Sequence, residues 1–146
     1  MTPTAAGASG GRTALVVAAG GAVGALLRWQ LAGVMNGLVV GACPATASCV
    51  ATQPAFPWGT LLVNVVGALL LGWVAGRQVD PMRRAFLGTG VLGAFTTFSA
   101  FAVEAVLVGR RSPLEGIAYV GVTLGVGLAA ARLGQRASRP RPGAPS

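Results

Sequence analysis

The chain has 146 residues, of which 53% are hydrophobic and only 10% are charged. An ordinary soluble domain carries about a quarter charged residues, so a soluble fold of this size could not cover its surface with so few. Eleven arginines, no lysine and three acidic residues give a net charge of +8, but the arginines stand in short clusters between long apolar runs, unlike the basic patch of a nucleic-acid-binding protein. With no histidine and only two cysteines, His-based catalysis and the usual zinc ligand sets are excluded. The composition indicates a membrane protein.

Four stretches are long and apolar enough to cross the hydrocarbon layer, which takes about 20 helical residues. We predict transmembrane helices at residues 13–35, 58–76, 85–109 and 114–131. Residues 1–12 and the Arg- and Pro-rich residues 132–146 are predicted to be disordered tails. The expected fold is therefore an all-α membrane domain over residues 13–131. A signal peptide is the less favoured interpretation of the first run, because three more spans follow it.

The arginine distribution predicts an orientation in the membrane. Eight arginines fall in the segments on one side, whereas the other side has only Arg110 and Arg111. By the positive-inside rule, both termini are expected in the cytoplasm of a multi-pass protein of the cell membrane. The loop between the first two spans then faces outward, where Cys43 and Cys49 either form a disulfide or remain two unpaired thiols.

Polar residues inside the first two spans are costly in lipid and are therefore candidates for function. Arg28 either snorkels to the outer interface or pairs with a buried acceptor. Asn64 lies four residues after Thr60 and so on the same helix face. It either joins two helices by a hydrogen bond or presents a donor to a pore.

The last two spans contain further polar candidates. Glu104, near the end of the third span, is expected to pair with Arg110, Arg111 or a partner subunit. Tyr119 and Thr123 are four residues apart and therefore share one face of the fourth span.

The third span has a composition that suits a continuous helix poorly. Residues 88–101 include three glycines, three threonines and a serine, so we expect the helix to break near its centre. A break at mid-membrane releases backbone carbonyls, which must then be satisfied by a cation, water or protein. Phe95, Phe98 and Phe101 recur every three residues and are expected to share one face. This stripe is either packing or, because aromatic rings have positive edges, a contact surface for an anion.

Three motifs resemble the Fluc (CrcB-type) fluoride channel family. They are GGAVGALLR at residues 20–28, GTLLVNVVG at residues 59–67, and the third-span segment from Gly90 to Glu104. The third motif is the most specific and resembles the pattern G-x-x-GG-x-TTFSTF-x-x-E. It departs from that pattern at Ala94 and at Ala100, which removes a hydroxyl next to Phe101. The resemblance extends over residues 13–131.

The resemblance implies a fluoride-specific channel, and no enzyme activity, that lets cytoplasmic fluoride leave the cell down its gradient and so lowers its toxicity. It implies an antiparallel dimer with two narrow pores and a structural sodium ion, not transported, at the dimer centre. Backbone carbonyls at the positions of Gly93 and Thr96 would hold the sodium ion. The pore residues of the family fall on Asn64, Phe98 and Phe101, and its polar track on Thr60, Tyr119 and Thr123.

The charge bias raises a question about the partner. A chain that inserts in both orientations to form an antiparallel homodimer should show little difference between its two sides, whereas this chain has eight arginines against two. We therefore expect it to pair with an oppositely biased homologue in an antiparallel heterodimer.

Two other functions compete with the channel. A small dimeric four-helix exporter coupled to protons would be expected to have a glutamate in its first span, where this chain has no acidic residue. A non-transporting membrane assembly subunit held by glycine stripes would give no ion leak. Enzyme activity has no support, because no nucleophile–base pair or metal-ligand set can be assembled.

Overall fold

The computed structural model describes residues 6–40 and 56–139, and all regular structure within these ranges is helical. Helix α1 is Ala6–Val40 and α2 is Trp58–Gly76. Helix α3, residues 81–95, is α-helical at Pro81–Arg84, π-helical at Ala85–Leu92 and α-helical again at Gly93–Phe95. Helix α4 is Phe98–Arg111 and α5 is Pro113–Ser138. Cys43 and Cys49, for which a disulfide was considered, lie outside the described residues.

The predicted all-helical fold with four spans is confirmed. Four segments have the length and hydropathy needed to cross a membrane, namely Gly10–Leu31, Trp58–Gly76, Pro81–Arg111 and Pro113–Ser138. The third of these combines α3 and α4. Large apolar side chains such as Leu15, Leu114 and Ile117 are mostly exposed, as expected for a surface that faces lipid rather than water.

The helices extend further than the sequence predicted. Helix α1 begins at Ala6 and α5 continues to Ser138, so the prediction of disordered tails is wrong for residues 6–12 and 132–138. The apolar stretch marks only the part of a helix that suits lipid. Lengthening an existing helix adds hydrogen bonds without a new nucleus, so a helix can continue past that part.

Side-chain caps fix where two helices begin. Asp80 precedes α3, and its Oδ2 accepts hydrogen bonds from the backbone N–H groups of Met82 at 3.0 Å and Arg83 at 3.2 Å. Ser112 Oγ accepts from the N–H of Glu115 at 3.4 Å at the start of α5. A proline follows each capping residue, where its missing N–H costs nothing. The connections between the last three spans are short as a result.

Glycines bring α1 against α3 in a parallel pair. A β-carbon on Gly20 would lie 3.1 Å from Gly90 Cα, and Gly24 meets the backbone of Val91 and Phe95 further along both helices. Because the contact positions increase together, the two helices run in the same direction. Small residues are the usual means by which membrane helices approach this closely.

Helices α2 and α5 form the second parallel pair. Gly72 packs on the backbone of Ala131, and a β-carbon on Gly76 would lie 2.7 Å from the Gln135 carbonyl oxygen. From the other side, Gly134 of α5 packs on the backbone of α2 near Leu69. Each tight pair therefore joins helices that are not neighbours in the sequence. The first span pairs with the third, and the second pairs with the fourth.

Candidate functional site at the break in the third span

The predicted break in the third span is confirmed, and it falls at two threonines. Thr96 has ψ 155° and Thr97 has φ −138° and ψ 121°, so both are extended and separate α3 from α4. The Thr96 hydroxyl donates to the Leu92 carbonyl at 3.0 Å, which closes the end of α3. Thr97 Oγ1 accepts from the N–H of Ala100 at 3.3 Å and caps α4. Threonine suits both tasks because its hydroxyl bonds readily to nearby backbone groups.

Asn64 of α2 pairs with the exposed backbone of the break. Its Oδ1 accepts from the Thr97 N–H at 2.8 Å, and its Nδ2 donates to the Thr97 carbonyl at 3.0 Å. One side-chain amide thus satisfies both backbone groups of an extended residue, which would be costly to leave unpaired inside a membrane. The interhelical hydrogen bond considered from the sequence is present in this form.

Four carbonyls at the end of α3, including those of Gly93 and Thr96, lose their helical donors at the break. In a continuous α-helix the Thr97 N–H would donate to the Gly93 carbonyl, and the Ala100 N–H would donate to the Thr96 carbonyl. Both N–H groups donate to side chains instead, to Asn64 and Thr97 respectively. The carbonyls of Gly93 and Thr96 are therefore released from the helical ladder.

Arg28 of α1 approaches one of the released carbonyls. Its Nη1 donates to the Thr96 carbonyl oxygen at 3.4 Å, a long and therefore weak hydrogen bond. Of the two alternatives for Arg28, snorkelling and pairing with an acceptor, the structure shows pairing. The side chain is half-buried at this position.

The released carbonyls of Gly93 and Thr96 fit a monovalent cation only in part. Neutral backbone oxygens can replace the hydration shell of such an ion, and the described residues contain no cluster of acidic, His or Cys side chains that could hold a metal instead. One chain offers two of these oxygens, and Arg28 lies beside one of them.

Glu104 joins α4 to two other helices. Its Oε1 accepts from the Thr60 hydroxyl of α2 at 2.7 Å, and its Oε2 accepts from the Tyr119 hydroxyl of α5 at 2.9 Å. These hydroxyls take the place of the predicted partners Arg110 and Arg111. The reason is spacing: Arg110 and Arg111 lie six and seven residues after Glu104 on α4, beyond the three- or four-residue spacing at which side chains of one helix meet. Tyr119 has no exposed surface, so the cluster lies in the interior.

The three phenylalanines do not share one face, contrary to the prediction. Phe101 is buried, with its ring centroid 5.5 Å from that of Tyr119 and 5.9 Å from that of Phe98. Phe98 is 79% exposed. Phe95 is buried on the far side of the break, where its ring lies against Gly67 of α2. A spacing of three places residues on one face only within a continuous helix, and the extended threonines interrupt it.

Two clefts flank the break. One, of about 390 Å³, lies on the α1 side, and the polar residues in its lining are Arg28, Thr60, Thr97 and Ser99. The polar contribution of Ser99 was not predicted from the sequence, although the Thr-Thr-Phe-Ser run contained the signal.

The other cleft, of about 420 Å³, brings together the predicted residues Asn64, Phe98, Phe101 and Thr123. None of its lining residues is charged. Thr123 is buried near the Tyr119 hydroxyl, and its Oγ1 makes no hydrogen bond within 3.5 Å to any residue that the structure describes. We call this second cleft the phenylalanine cleft.

These features define a small multi-pass helical membrane protein whose third span carries a polar break. Residues 15–135 match the family described as CrcB-like protein, Camphor Resistance (CrcB). The chain is 46% identical over 124 residues to the fluoride-specific ion channel FluC 1 of Rhodococcus jostii, over 84% of this chain and 82% of that protein. It is 40% identical over 122 residues to the fluoride-specific ion channel FluC of Rhizobium meliloti, over 80% of this chain and 87% of that protein.

The chain therefore belongs to the CrcB-like family, a family of ion channels and not of enzymes. The resemblance drawn from the three sequence motifs is confirmed. Rhodococcus jostii also has a second relative, FluC 2, which is 41% identical over 125 residues, or 85% of this chain and 96% of that protein.

Proposed function

We propose that this protein is a fluoride-specific channel that lets cytoplasmic fluoride leave the cell down its gradient and so lowers fluoride toxicity. The observation that carries the proposal is the phenylalanine cleft, where an amide, hydroxyls and two phenyl rings meet without a charged side chain. Its relatives are named for the same ion.

The chemistry of the phenylalanine cleft suits a small, strongly hydrated anion. Amide and hydroxyl donors replace water around the ion, and the positive edges of Phe98 and Phe101 contact it without a formal charge. Conduction requires binding that is weak enough for release, which a fixed cation in the cleft would prevent.

The proposed polar-track residues differ in the donors that they have to offer. The hydroxyl hydrogens of Thr60 and Tyr119 are engaged by Glu104. The Thr123 hydroxyl is not engaged by a described residue, and Asn64 Nδ2 has a second hydrogen beyond the one given to Thr97. We therefore place the first contacts with the ion at Asn64 and Thr123. The Thr60 and Tyr119 hydroxyls can donate to the ion only after they leave the Glu104 carboxylate.

The test is fluoride efflux from liposomes, read with a fluoride electrode, for this chain alone and together with a homologue from the same genome. We expect rapid fluoride efflux that requires only a fluoride gradient, and no chloride efflux from chloride-loaded vesicles read with a chloride electrode. A matched pair of variants sharpens the test: Phe98→Ile should slow efflux at least about tenfold, and Leu114→Ile, at a similarly exposed position on α5, should leave it unchanged. Near-zero efflux from both the single chain and the pair would remove the channel proposal.

We also propose a structural sodium ion at the centre of a dimer, held by the Gly93 and Thr96 carbonyls. The release of both carbonyls from the helical ladder supports it. When bound, the ion would supply positive charge to oxygens that have no helical donor. The proposal predicts that the thermal unfolding midpoint of the assembled protein rises saturably with sodium and does not rise with an organic cation such as N-methylglucamine. An equal response to both cations would contradict it.

The dimer is proposed to be an antiparallel heterodimer with an oppositely charge-biased homologue. The bias of eight arginines against two supports it. Co-purification with a tagged homologue tests the pairing. If this chain alone leaks fluoride as fast as the pair does, the heterodimer proposal fails.

A further inference from the structure

Exposed arginines are concentrated at the end of the bundle where α2 and α5 finish together. Arg132 and Arg136 are four residues apart on α5 and share a face, and Arg139 follows directly after the helix. Arg77 follows the end of α2, which lies against the last turns of α5 through the contact of Gly76 with Gln135 and Ser138. We call Arg77, Arg132, Arg136 and Arg139, all of them exposed, the arginine cluster.

The chain has too few acidic side chains near this cluster to neutralise it. The three acidic residues are Asp80, Glu104 and Glu115. Glu104 is engaged by two hydroxyls inside the bundle. Glu115 is in the first turn of α5, seventeen residues and therefore about 25 Å before Arg132. Asp80 is committed to the cap of α3. The four arginines of the cluster therefore exceed the one acidic side chain near them, that of Asp80.

The surroundings of the cluster fit a molecule with an anionic head and an apolar tail. Leu128 and Leu133 are 53% and 58% exposed, and each lies about one helical turn before an arginine, Arg132 or Arg136. The guanidinium of Arg77 lies 3.9 Å above the ring of Trp73, a pairing of arginine and tryptophan that suits the membrane–water interface. Lipid tails can cover the leucines while guanidinium groups bind the phosphate above them by paired hydrogen bonds.

We infer that the arginine cluster is a binding site for the phosphodiester headgroup of anionic phospholipids. The inference does not depend on fluoride conduction, because none of the four arginines lines the phenylalanine cleft. Arginines near an anionic membrane surface each contribute an attraction that corresponds to about a five-fold change in affinity. Loss of two should therefore weaken binding about twenty-five-fold.

The experiment follows thermal unfolding of the full chain in a neutral detergent by tryptophan emission. The protein is titrated with short-chain phosphatidylglycerol, with phosphatidylcholine of the same chain length, or with inorganic phosphate. We expect phosphatidylglycerol alone to raise the unfolding midpoint. The half-saturating concentration should increase about twenty-five-fold in the R132Q/R136Q variant. The control variant R110Q/R111Q loses the same charge at the opposite end and should stay within about two-fold of the unmodified chain.

Three results would overturn the inference. Equal stabilisation by phosphatidylcholine would show that headgroup charge is irrelevant. Equal stabilisation by inorganic phosphate would assign the site to a free anion. An equal loss of phosphatidylglycerol affinity in the control variant would show that binding depends on net charge and not on the arginine cluster. If R132Q/R136Q does not fold, raising salt from about 0.1 M to about 1 M must weaken phosphatidylglycerol binding to the unmodified chain, and an unchanged affinity would overturn the inference as well.

Discussion

Asn64 provides both hydrogen-bond partners that Thr97 loses when the third span leaves the helix. The same side chain lines the phenylalanine cleft, so it supports the backbone and offers a donor to the proposed ion. Thr60, one turn earlier on α2, holds Glu104 in a similar way. Helix α2 thus fixes α4 at two points, Thr97 and Glu104, that are about two helical turns apart.

The substitution Asn64→Asp separates the two tasks of this residue. Aspartate keeps an acceptor for the Thr97 N–H but loses the donor to the Thr97 carbonyl, and it adds negative charge to an uncharged cleft. We expect destabilisation by about 1–3 kcal/mol, from the unpaired carbonyl, and loss of fluoride efflux. Thermal unfolding and electrode measurements on the same preparation test both effects, and efflux at the original rate would refute the pore role.

Glu104→Gln tests the carboxylate that joins three helices. Glutamine has one acceptor oxygen for two hydroxyl donors, so either the Thr60 or the Tyr119 hydroxyl loses its acceptor. We expect a loss of about 1.5–3 kcal/mol in unfolding free energy, the range for a hydrogen bond to a charged group. The control is Glu115→Gln at an exposed position, which should cost less than about 1 kcal/mol. Equal effects of both substitutions would mean that the Glu104 cluster contributes no stability.

At the scale of the helices, the break and the glycine contacts determine the geometry of the site. The π-helical segment Ala85–Leu92 packs on α1, and the extended threonines come after three further residues, Gly93–Phe95. Phe95 and Phe98 therefore end on different sides although they are three residues apart. The tight pairs α1–α3 and α2–α5 hold this arrangement with backbone contacts rather than with large side chains.

Two glycines of α5 provide a matched test of these contacts. A β-carbon on Gly134 would clash with the Leu69 carbonyl and lie 2.8 Å from the Trp73 nitrogen, whereas one on Gly125 meets nothing within 4 Å. Gly134→Ala should therefore destabilise the protein by about 1–3 kcal/mol or more. Gly125→Ala should be neutral or slightly stabilising, because alanine favours helix. Similar unfolding midpoints for the two variants would mean that α2 and α5 can separate without cost.

Much of the helix arrangement was predictable from the sequence. Charge-free runs indicated four spans, and the glycines and threonines of the third span predicted its break, because both signals are local. The π-helical segment and the position of Phe95 against α2 were not predictable, because they depend on how α1 and α2 pack against the third span. Glu104 was assigned arginine partners six and seven residues away on the same helix, a spacing at which side chains do not meet.

At the scale of the whole molecule, arginine placement predicts one dominant orientation. Removal of Arg83, Arg84, Arg132 and Arg136 by glutamine substitution should let a substantial fraction of chains insert inverted, because the bias between the two sides then falls to four against two. Protease accessibility of a C-terminal tag in sealed vesicles measures the fraction. Substitution of Arg110 and Arg111 should leave a single orientation, and an inverted fraction in that control would contradict the rule for this chain.

The interleaved pairing has a consequence for biosynthesis. Helix α1 packs on α3, and α2 packs on α5, so each helix meets its tight partner only after an intervening span has been synthesised. The first two spans must therefore enter the bilayer on hydrophobicity alone, with Arg28 still without its carbonyl acceptor. Assembly is completed when the last span leaves the ribosome, and truncation after the second or third span leaves at least one helix with its glycine face uncovered.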